Sequence, residues 1–377
     1  MSQKTLKAIA VAVQAGVPTV TWGGPGVGKT SGINALGKAL NRPVETVIAS
    51  LREPSDFGGL PILTESGVKL SPPAWAVRLS EAGNGILFVD EISTAAPAVQ
   101  AALLRVCLSE EREGEQVNMV GELAIKGLAI VAAANPPDQA AGGWEMSPPL
   151  SNRFCHLTWN LNVGEYVQGM FEGFPAPSFP ILPANWNEGI RQARVEIASF
   201  IQHKQTLLYA CPKNDSDAGK PWPSPRSWTM AATLSAAAKA SNAGPEVELP
   251  LISGCVGEGP ALEFINWRDS LDLPNPEELL ANPDSFVVPD RGDKVYTILA
   301  SVASAAVSDM TKARFLAAWQ IFKMAADAGK KDLAAAAVRT LAKAATQQGY
   351  MADAKVRTQV VAYLVPFVEI LKQAGLY

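Results

Sequence analysis

The sequence predicts an α/β fold, built on a parallel β-sheet whose two faces are covered by helices. Strand-like and helix-like segments alternate through the first 160 residues, and the strand-like segments are largely continuous apolar runs. Such runs are typical of strands buried on both faces of a parallel sheet. A glycine-rich loop also joins the first strand to a helix. At 377 residues with 48% hydrophobic side chains, the chain has material for two or three domains.

The predicted strands are short runs rich in β-branched and aliphatic residues, separated by turn signals. They cover Val17–Trp22, Val44–Ser50, Gly85–Val89, Leu128–Ala134 and Cys155–Trp159. Helices are predicted over Ser31–Leu40 and over Ala96–Glu110, where apolar residues recur at helical spacing.

After about residue 160 the composition changes. Two proline-rich stretches, residues 172–188 and 273–290, alternate with segments of helix-forming composition. These helices are predicted over Glu188–Tyr209, Ser227–Ala240, Lys294–Ser308, Lys312–Ala328, Lys331–Thr346 and Lys355–Gln373. Pro366 should kink or split the last of them, because proline cannot continue a helix interior.

Residues Gly23–Thr30 form a complete phosphate-binding loop of the G-x-x-x-x-G-K-[ST] type, with a strand before it and a helix after it. The glycines let the chain turn its N–H groups toward phosphate oxygens, and the helix adds its positive N-terminal end. Lys29 would reach the β- and γ-phosphates, and Thr30 would place its hydroxyl on Mg²⁺. The candidate binding residues are Gly24, Pro25, Gly26, Val27, Gly28, Lys29 and Thr30.

A second motif, Ile86-Leu-Phe-Val-Asp-Glu91, is an apolar strand that ends in two carboxylates. Its distance from the phosphate-binding loop fits a Walker B element. Asp90 would hold Mg²⁺, and Glu91 would polarise the attacking water. Asn135 ends another apolar strand, where its amide could lie beside the γ-phosphate. From spacing alone, Asn135 could equally begin a turn, since Asn-Pro favours turns.

Taken together, residues 18–160 resemble the nucleotide-binding core of AAA+ ATPases, within them the MoxR-like group related to dynein-type modules. The resemblance rests on five segments in the family's order, Gly23–Thr30, Glu53–Pro61, Ile86–Arg105, Ala132–Pro136 and Leu150–Phe154. It implies a five-stranded parallel sheet core, a helical lid and a ring, usually hexameric, with ATP bound at subunit junctions. We expect an AAA+ core over residues 1–160, a linker and lid over 161–290, and an extended all-α region over 291–377.

The resemblance also implies roles for three residues. Asn135 looks like the sensor that reads the γ-phosphate, and Arg153 looks like the arginine finger donated to a neighbour's ATP. A permanently charged guanidinium suits that task, although Arg153 could instead pair structurally with a carboxylate. Arg226 resembles the second sensor at the start of a lid helix, and the sequence leaves open whose nucleotide it contacts. The acidic segment Glu111–Lys126 lies where this branch inserts a hairpin, and we expect a solvated or partner-facing projection.

Composition limits the other functions. The net charge of −4 gives no electrostatic reason for non-specific nucleic-acid binding. The four cysteines and two histidines lack metal-ligand spacing, so we expect buried thiols in a reducing compartment rather than a zinc site. No signal peptide or bilayer-spanning run is visible, and we expect a cytoplasmic protein without a membrane contact.

The predicted function is that of a Mg²⁺-dependent, ring-forming AAA+ ATPase of MoxR-like chaperone type. Its target would be a client protein, and the resemblance suggests a partner with a von Willebrand factor A domain. Two alternatives are a nucleic-acid-associated AAA+ motor, which the acidic balance disfavours, and an ATP-binding scaffold or switch with little turnover. The intact Asp90-Glu91 pair disfavours the scaffold, because a pure binder does not need Glu91.

Overall fold

A computed structural model describes residues 3–112, 114–136, 139, 144–350 and 354–376. The strands in these ranges are β1 (Thr19–Trp22), β2 (Val44–Ile48), β3 (Leu60–Thr64), β4 (Gly67–Ser71), β5 (Ile86–Asp90), β6 (Ser109–Arg112), β7 (Glu115–Val120), β8 (Leu123–Lys126), β9 (Ala129–Ala134) and β10 (Cys155–Thr158). The helices that precede β10 in the sequence are α1 (Gln3–Gln14), α2 (Lys29–Ala39), α3 (Ser55–Gly58), α4 (Ala74–Ala82), α5 (Pro97–Val106) and α6 (Pro148–Ser151). After β10 the described elements are all helical: α7 (Val163–Glu172), α8 (Gly189–His203), α9 (Asp215–Ala218), α10 (Pro225–Ala240), α11 (Pro245–Val256), α12 (Glu258–Leu271), α13 (Pro276–Ala281), α14 (Gly292–Ser308), α15 (Lys312–Asp327), α16 (Ala335–Gln347), α17 (Ala354–Leu364) and α18 (Val368–Gln373), with short 3-10 turns between some of them.

Five strands form one parallel sheet in the order β10-β1-β9-β5-β2. The strands are apolar because both faces are covered: β5 and β9 are buried over almost their whole length. Since all five strands run in the same direction, their carboxyl ends meet at one edge. This arrangement confirms the predicted α/β fold with a five-stranded parallel sheet, and it places the ends of β1, β9 and β5 side by side.

One helix prediction needs a correction. The helix predicted over Ala96–Glu110 ends at Val106, and Ser109–Arg112 is instead the first strand of a separate antiparallel sheet, β6-β7-β8. The acidic segment therefore forms three strands, whose middle strand buries Val117–Val120. Its glutamates lie mostly at the surface, while Asn118 Nδ2 donates to the Val106 carbonyl at 2.8 Å. The helix spacing failed here because cross-strand pairing and burial override local propensity.

The described chain divides into two compact units. The first comprises residues 1–190 and 206–263 and holds the parallel sheet, with α10 and α11 packed on each other and α11 also against β10. The second comprises residues 191–205 and 264–377 and is all helical. Its core is a cluster of fully buried aromatic and aliphatic residues around Phe315, Trp319 and Phe322.

The all-α C-terminal region is confirmed, and Pro366 does split the last predicted helix, because a 3-10 turn over Val365–Phe367 separates α17 from α18. Helix α13 lies inside the stretch 273–290 that the prolines marked as irregular, where Pro276 occupies a helix start that tolerates it. The domain boundaries at 160 and 290 stay a prediction.

Across the described ranges, every helix is too short or too polar to cross a bilayer.

Candidate nucleotide-binding site

The glycine-rich loop lies where β1 ends and α2 begins. The Gly23 N–H donates to the Ala134 carbonyl at 3.1 Å, which ties the loop to the end of β9. Gly26 and Gly28 adopt φ angles of 74° and 87°, in the left-handed region that only glycine occupies without strain. The sequence therefore needs glycine at these two positions to form this turn.

The loop presents free hydrogen-bond donors. Within the described ranges, the backbone N–H groups of residues 26–30 have no hydrogen-bond acceptor. Unpaired N–H groups at a helix start carry a partial positive charge and are satisfied by anions. A chain of phosphates fits this donor set.

Lys29 is the charged residue of the loop, and only 8% of its surface is exposed. Its ammonium donates to the Gly23 carbonyl, to the Gly24 carbonyl at 3.0 Å, and to Asn135 Oδ1 at 2.9 Å. Burial lowers the pKa of Lys29, and the nearby carboxylates of Asp90 and Glu91 oppose that shift. All three acceptors are replaceable by phosphate oxygens, which are stronger partners for an ammonium.

Two oxygens suited to a divalent cation lie together beside the lysine. Thr30 Oγ1 donates to Asp90 Oδ2 at 2.8 Å, although Thr30 opens α2 and Asp90 ends β5. The other Asp90 oxygen accepts the Glu91 N–H at 3.0 Å, which fixes the carboxylate's orientation. Mg²⁺ prefers hard oxygen ligands and few of them from the protein, so Thr30 and Asp90 would hold it together with substrate phosphates.

Glu91 has an unusual backbone conformation, with φ 57° and ψ 37°. A non-glycine residue in the left-handed region is uncommon, and such strain collects at functional sites. The side chain is exposed, and its Oε2 accepts a hydrogen bond from Ser50 Oγ at 2.6 Å. Ser50 follows β2, the strand next to β5, so it orients the carboxylate from the adjacent strand.

Asn135 directly follows β9, between the ends of β1 and β5. Its N–H donates to Ser93 Oγ at 3.3 Å, while its side chain accepts from Lys29. An amide fixed in this way can contact a γ-phosphate or a water beside it. The alternative that Asn135 merely begins a turn does not account for its side chain's bond to Lys29.

Trp159 directly follows β10 and supports the phosphate-binding loop. Its indole N–H donates to the Val27 carbonyl at 3.2 Å. Its ring lies so close to Gly32 in α2 that a Cβ there would come within 2.3 Å of it. Sequence reasoning missed Trp159, Ser50 and Ser93, since nothing local marks a buried tryptophan or a lone serine as a loop support.

Asn135 also lines a cavity of about 1040 Å³. Trp22 and His156 form part of its wall, with their rings stacked at 5.9 Å between centroids. The Trp22 N–H donates to His156 Nδ1 at 2.9 Å, and His156 Nε2 lies 3.0 Å from the Ser151 carbonyl. Because a tryptophan N–H can only donate, the imidazole is neutral with its proton on Nε2. Burial lowers the pKa of His156 to about 4.

Arg153 and Arg226 lie near each other, on two different elements. Arg153 follows α6 and donates to the Pro149 carbonyl at 2.6 Å, and Arg226 is in the first turn of α10. Burial lowers the pKa of Arg153, and the positive charge of Arg226 lowers it further. Within the described ranges neither arginine bonds to residues 23–30, and no carboxylate forms an ion pair with Arg153. The site therefore has two parts, the loop with its carboxylates and a separate arginine pair.

Residues 19–154 match the family model described as AAA domain, dynein-related subfamily. The match supports an AAA+ ATPase. It covers roughly a third of the chain and contains the loop, both carboxylates, Asn135 and Arg153, whereas Arg226 lies beyond it. The order of the parallel sheet agrees with the AAA+ α/β fold. Comparison with curated proteins finds no match.

Proposed function

We propose that this protein is a Mg²⁺-dependent, ring-forming AAA+ ATPase of MoxR-like chaperone type. The observation that carries the proposal is the bond of 2.9 Å between Lys29 and Asn135, beside the Thr30–Asp90 pair. Three strand ends thus bring an ammonium, an amide and two metal-binding oxygens to the mouth of a phosphate-binding loop. This set suits phosphoryl transfer, in which positioning and electrostatics do most of the work.

In the proposed reaction, Lys29 exchanges its protein acceptors for β- and γ-phosphate oxygens, which releases the Asn135 amide to orient a water. The water oxygen bonds to the γ-phosphorus while the bond from that phosphorus to the bridging oxygen breaks. Glu91 accepts the proton that the water loses. Thr30 and Asp90 would hold Mg²⁺, which when bound would neutralise charge on the phosphate oxygens. Ser50 keeps the Glu91 carboxylate in place through its 2.6 Å hydrogen bond.

The arginine pair supports a site shared between copies, in a homo-oligomeric ring that we propose is hexameric. Arg153 has no described contact with its own loop, and a guanidinium near a second positive charge favours an external anion. We propose that Arg153 contacts the γ-phosphate of a neighbouring copy. Loss of that phosphate would release the contact between the two copies.

The target is a client protein, with a partner that carries a von Willebrand factor A domain. A nucleic-acid motor is disfavoured by the net charge of −4. We place the protein in the cytoplasm, in keeping with its free cysteines, of which Cys107, Cys155 and Cys255 are buried.

The test is ATP turnover per subunit across a series of protein concentrations, with Glu91→Gln and Arg153→Ala alongside. We expect specific activity to rise with concentration, and both variants to lose turnover while they still bind ATP. Turnover that stays constant with concentration, with Arg153→Ala fully active, would refute the shared site. No turnover at any concentration, with nucleotide still bound, would replace the ATPase with a scaffold or switch.

A further inference from the structure

The turn that carries Arg153 is hydrogen-bonded to the helix start that carries Arg226. Asn152 precedes Arg153, and its Oδ1 accepts from Ser224 Oγ at 2.7 Å. The Asn152 Nδ2 donates to the Trp222 carbonyl at 3.3 Å. Both side-chain atoms of one asparagine are thus used to join two elements that lie 72 residues apart in sequence.

Ser224 also fixes the helix that bears Arg226. It is the N-cap of α10, where its hydroxyl oxygen accepts from the Ser227 N–H at 3.1 Å while Ser227 Oγ accepts from the Ser224 N–H at 2.8 Å. Such a capping box sets where a helix begins and in which direction its first turn points. The position of Arg226 therefore depends on the same hydroxyl that bonds Asn152.

This connection is buried, whereas the arginines lie nearer the surface. Asn152 and Ser224 are 5% and 4% exposed, but Arg226 is exposed and Arg153 half-buried. A further hydrogen bond joins the same two segments, since Ser151 Oγ donates to the Lys220 carbonyl at 3.0 Å. Buried and fully bonded polar groups restrict a structure to one arrangement, because breaking them leaves unsatisfied atoms.

By itself, the arrangement of the two arginines that these hydrogen bonds hold in place is electrostatically unfavourable. Within the described ranges, the charged group that acts on Arg153 is Arg226, and the Cys107 thiol is the other titratable group. Two guanidinium groups near each other repel. A multiply charged anion would turn this repulsion into attraction, because it can accept hydrogen bonds from both guanidinium groups at once.

We propose that Asn152 and Ser224 are positioning residues, which hold Arg153 and Arg226 as one unit for the polyphosphate of a neighbouring copy. The inference rests on the proposed function, since it takes the nucleotide as that polyphosphate. It also assigns Arg226 to the same nucleotide as Arg153, because the buried network moves the two arginines together. The second sensor then acts on the neighbour's ATP and not on its own subunit's.

The first test is a set of substitutions read as kcat and KM for ATP. Asn152→Ala and Ser224→Ala should each lower kcat by about 10²-fold, since small misplacement of an interacting group has effects of that size, and should leave KM nearly unchanged. Ser224→Thr, which keeps the hydroxyl and the cap, should restore most of the rate. Thr311→Ala removes the cap of α15 in the other unit and serves as the matched control, with kcat unchanged.

Two further comparisons separate positioning from a general structural role. If the arginines act as a unit, Arg153→Ala and Arg226→Ala together lose little more than either one alone. In that double background Asn152→Ala should have no further effect on kcat. The inference is overturned if Asn152→Ala lowers kcat by the same factor in both backgrounds, or if the losses of the two arginines multiply.

A binding measurement keeps the inference testable even without turnover. In Lys29→Met, which removes the loop's own phosphate contact, inorganic tripolyphosphate should still bind the arginine pair in calorimetric titration. Adding Asn152→Ala or Arg226→Ala should weaken this binding at least about tenfold, as expected when a bidentate charged contact is lost. If Lys29→Met does not bind tripolyphosphate, or if Asn152→Ala leaves binding unchanged, the arginines are not a preformed unit. Absence of ATP turnover in the natural chain would count against the proposed function alone.

Discussion

At the residue scale, Lys29 connects the carbonyl groups of the phosphate-binding loop to the Asn135 side chain. Its ammonium is held by carbonyls of the loop itself and by the amide that follows β9. A buried ammonium without those partners would lose its charge or its position. These hydrogen bonds place the lysine side chain, before any nucleotide binds, at the position where the phosphates would lie.

We predict that Lys29→Met abolishes tight ATP binding. The methionine keeps most of the length of the side chain but removes the charge and all three hydrogen bonds, so nucleotide affinity should fall by about 10²-fold or more. Lys38→Met, an exposed position on the same helix, is the matched control and should bind as the natural chain does. Equilibrium binding of a fluorescent ATP analogue measures both, and equal affinities would remove Lys29 from the site.

The buried His156 gives the protein a defined response to acid. Its folded pKa of about 4 lies below the ordinary value of 6.5, so the unfolded chain binds a proton more readily than the folded one. Stability is therefore complete above about pH 6.5 and falls as the pH drops toward 4. The hydrogen bond from Trp22 to His156 Nδ1 agrees with this lowered pKa, because a proton on Nδ1 would face the Trp22 N–H.

We predict that the free energy of unfolding falls by about 2 kcal/mol through His156 between neutral pH and pH 5. His156→Gln can accept from Trp22 and donate to Ser151 without titrating, and it should lose that part of the pH dependence. Urea unfolding of both proteins at pH 7.5 and pH 5 measures the difference. An identical pH response in the two proteins would mean that His156 is not protonated on unfolding in this range.

At the scale of elements, the loop is held by the strand next to it. β10 pairs with β1 in parallel, and Trp159 at its end reaches across to the loop and to α2. The glycine at position 32 has no side chain to obstruct this ring. Helix α2 and the loop can therefore approach the sheet edge closely.

We predict that Trp159→Phe lowers ATP affinity about three- to tenfold, which corresponds to one net hydrogen bond. The substitution keeps an aromatic ring against Gly32 but removes the donor to the Val27 carbonyl. Trp267→Phe is the control, since it removes a comparable indole bond, to Asp293, in the helical unit. Isothermal titration of both variants with ATP should show the loss in the first and not in the second.

At the scale of the whole molecule, the division of the site predicts complementation between inactive copies. In a mixture of Glu91→Gln and Arg153→Ala, some junctions would pair an intact Glu91 with an intact Arg153 from the next copy. A random 1:1 ring should then recover about a quarter of the natural turnover, since both required groups meet at about one junction in four. A mixture of Glu91→Gln with a variant that carries both Glu91→Gln and Arg153→Ala should stay inactive, because no copy then has an intact Glu91. If the first mixture is equally inactive, Arg153 acts within its own subunit or not at all.

The sequence by itself determined the loop, the two carboxylates at the end of β5 and the parallel sheet. Each is encoded locally: the loop needs glycine at φ 74° and 87°, and the strands are apolar runs that end in polar residues. Since parallel strands share one carboxyl edge, Lys29, Asp90 and Asn135 could be expected to meet once the sheet was predicted. The all-helical C-terminal region and its break at Pro366 also follow from composition.

Only the tertiary structure decided which residues support that site. Ser50, Ser93 and Trp159 act through contacts with residues at least 41 positions away, and no local pattern distinguishes them. The strand at Ser109–Arg112 depends on its pairing with β7, which overrides a helical spacing. The proposed unit of Arg153 and Arg226 depends on the buried hydrogen bonds of Asn152 to Ser224 and to the Trp222 carbonyl. Local sequence fixes backbone conformation and burial pattern, whereas long-range hydrogen bonds form only where the folded chain brings their partners together.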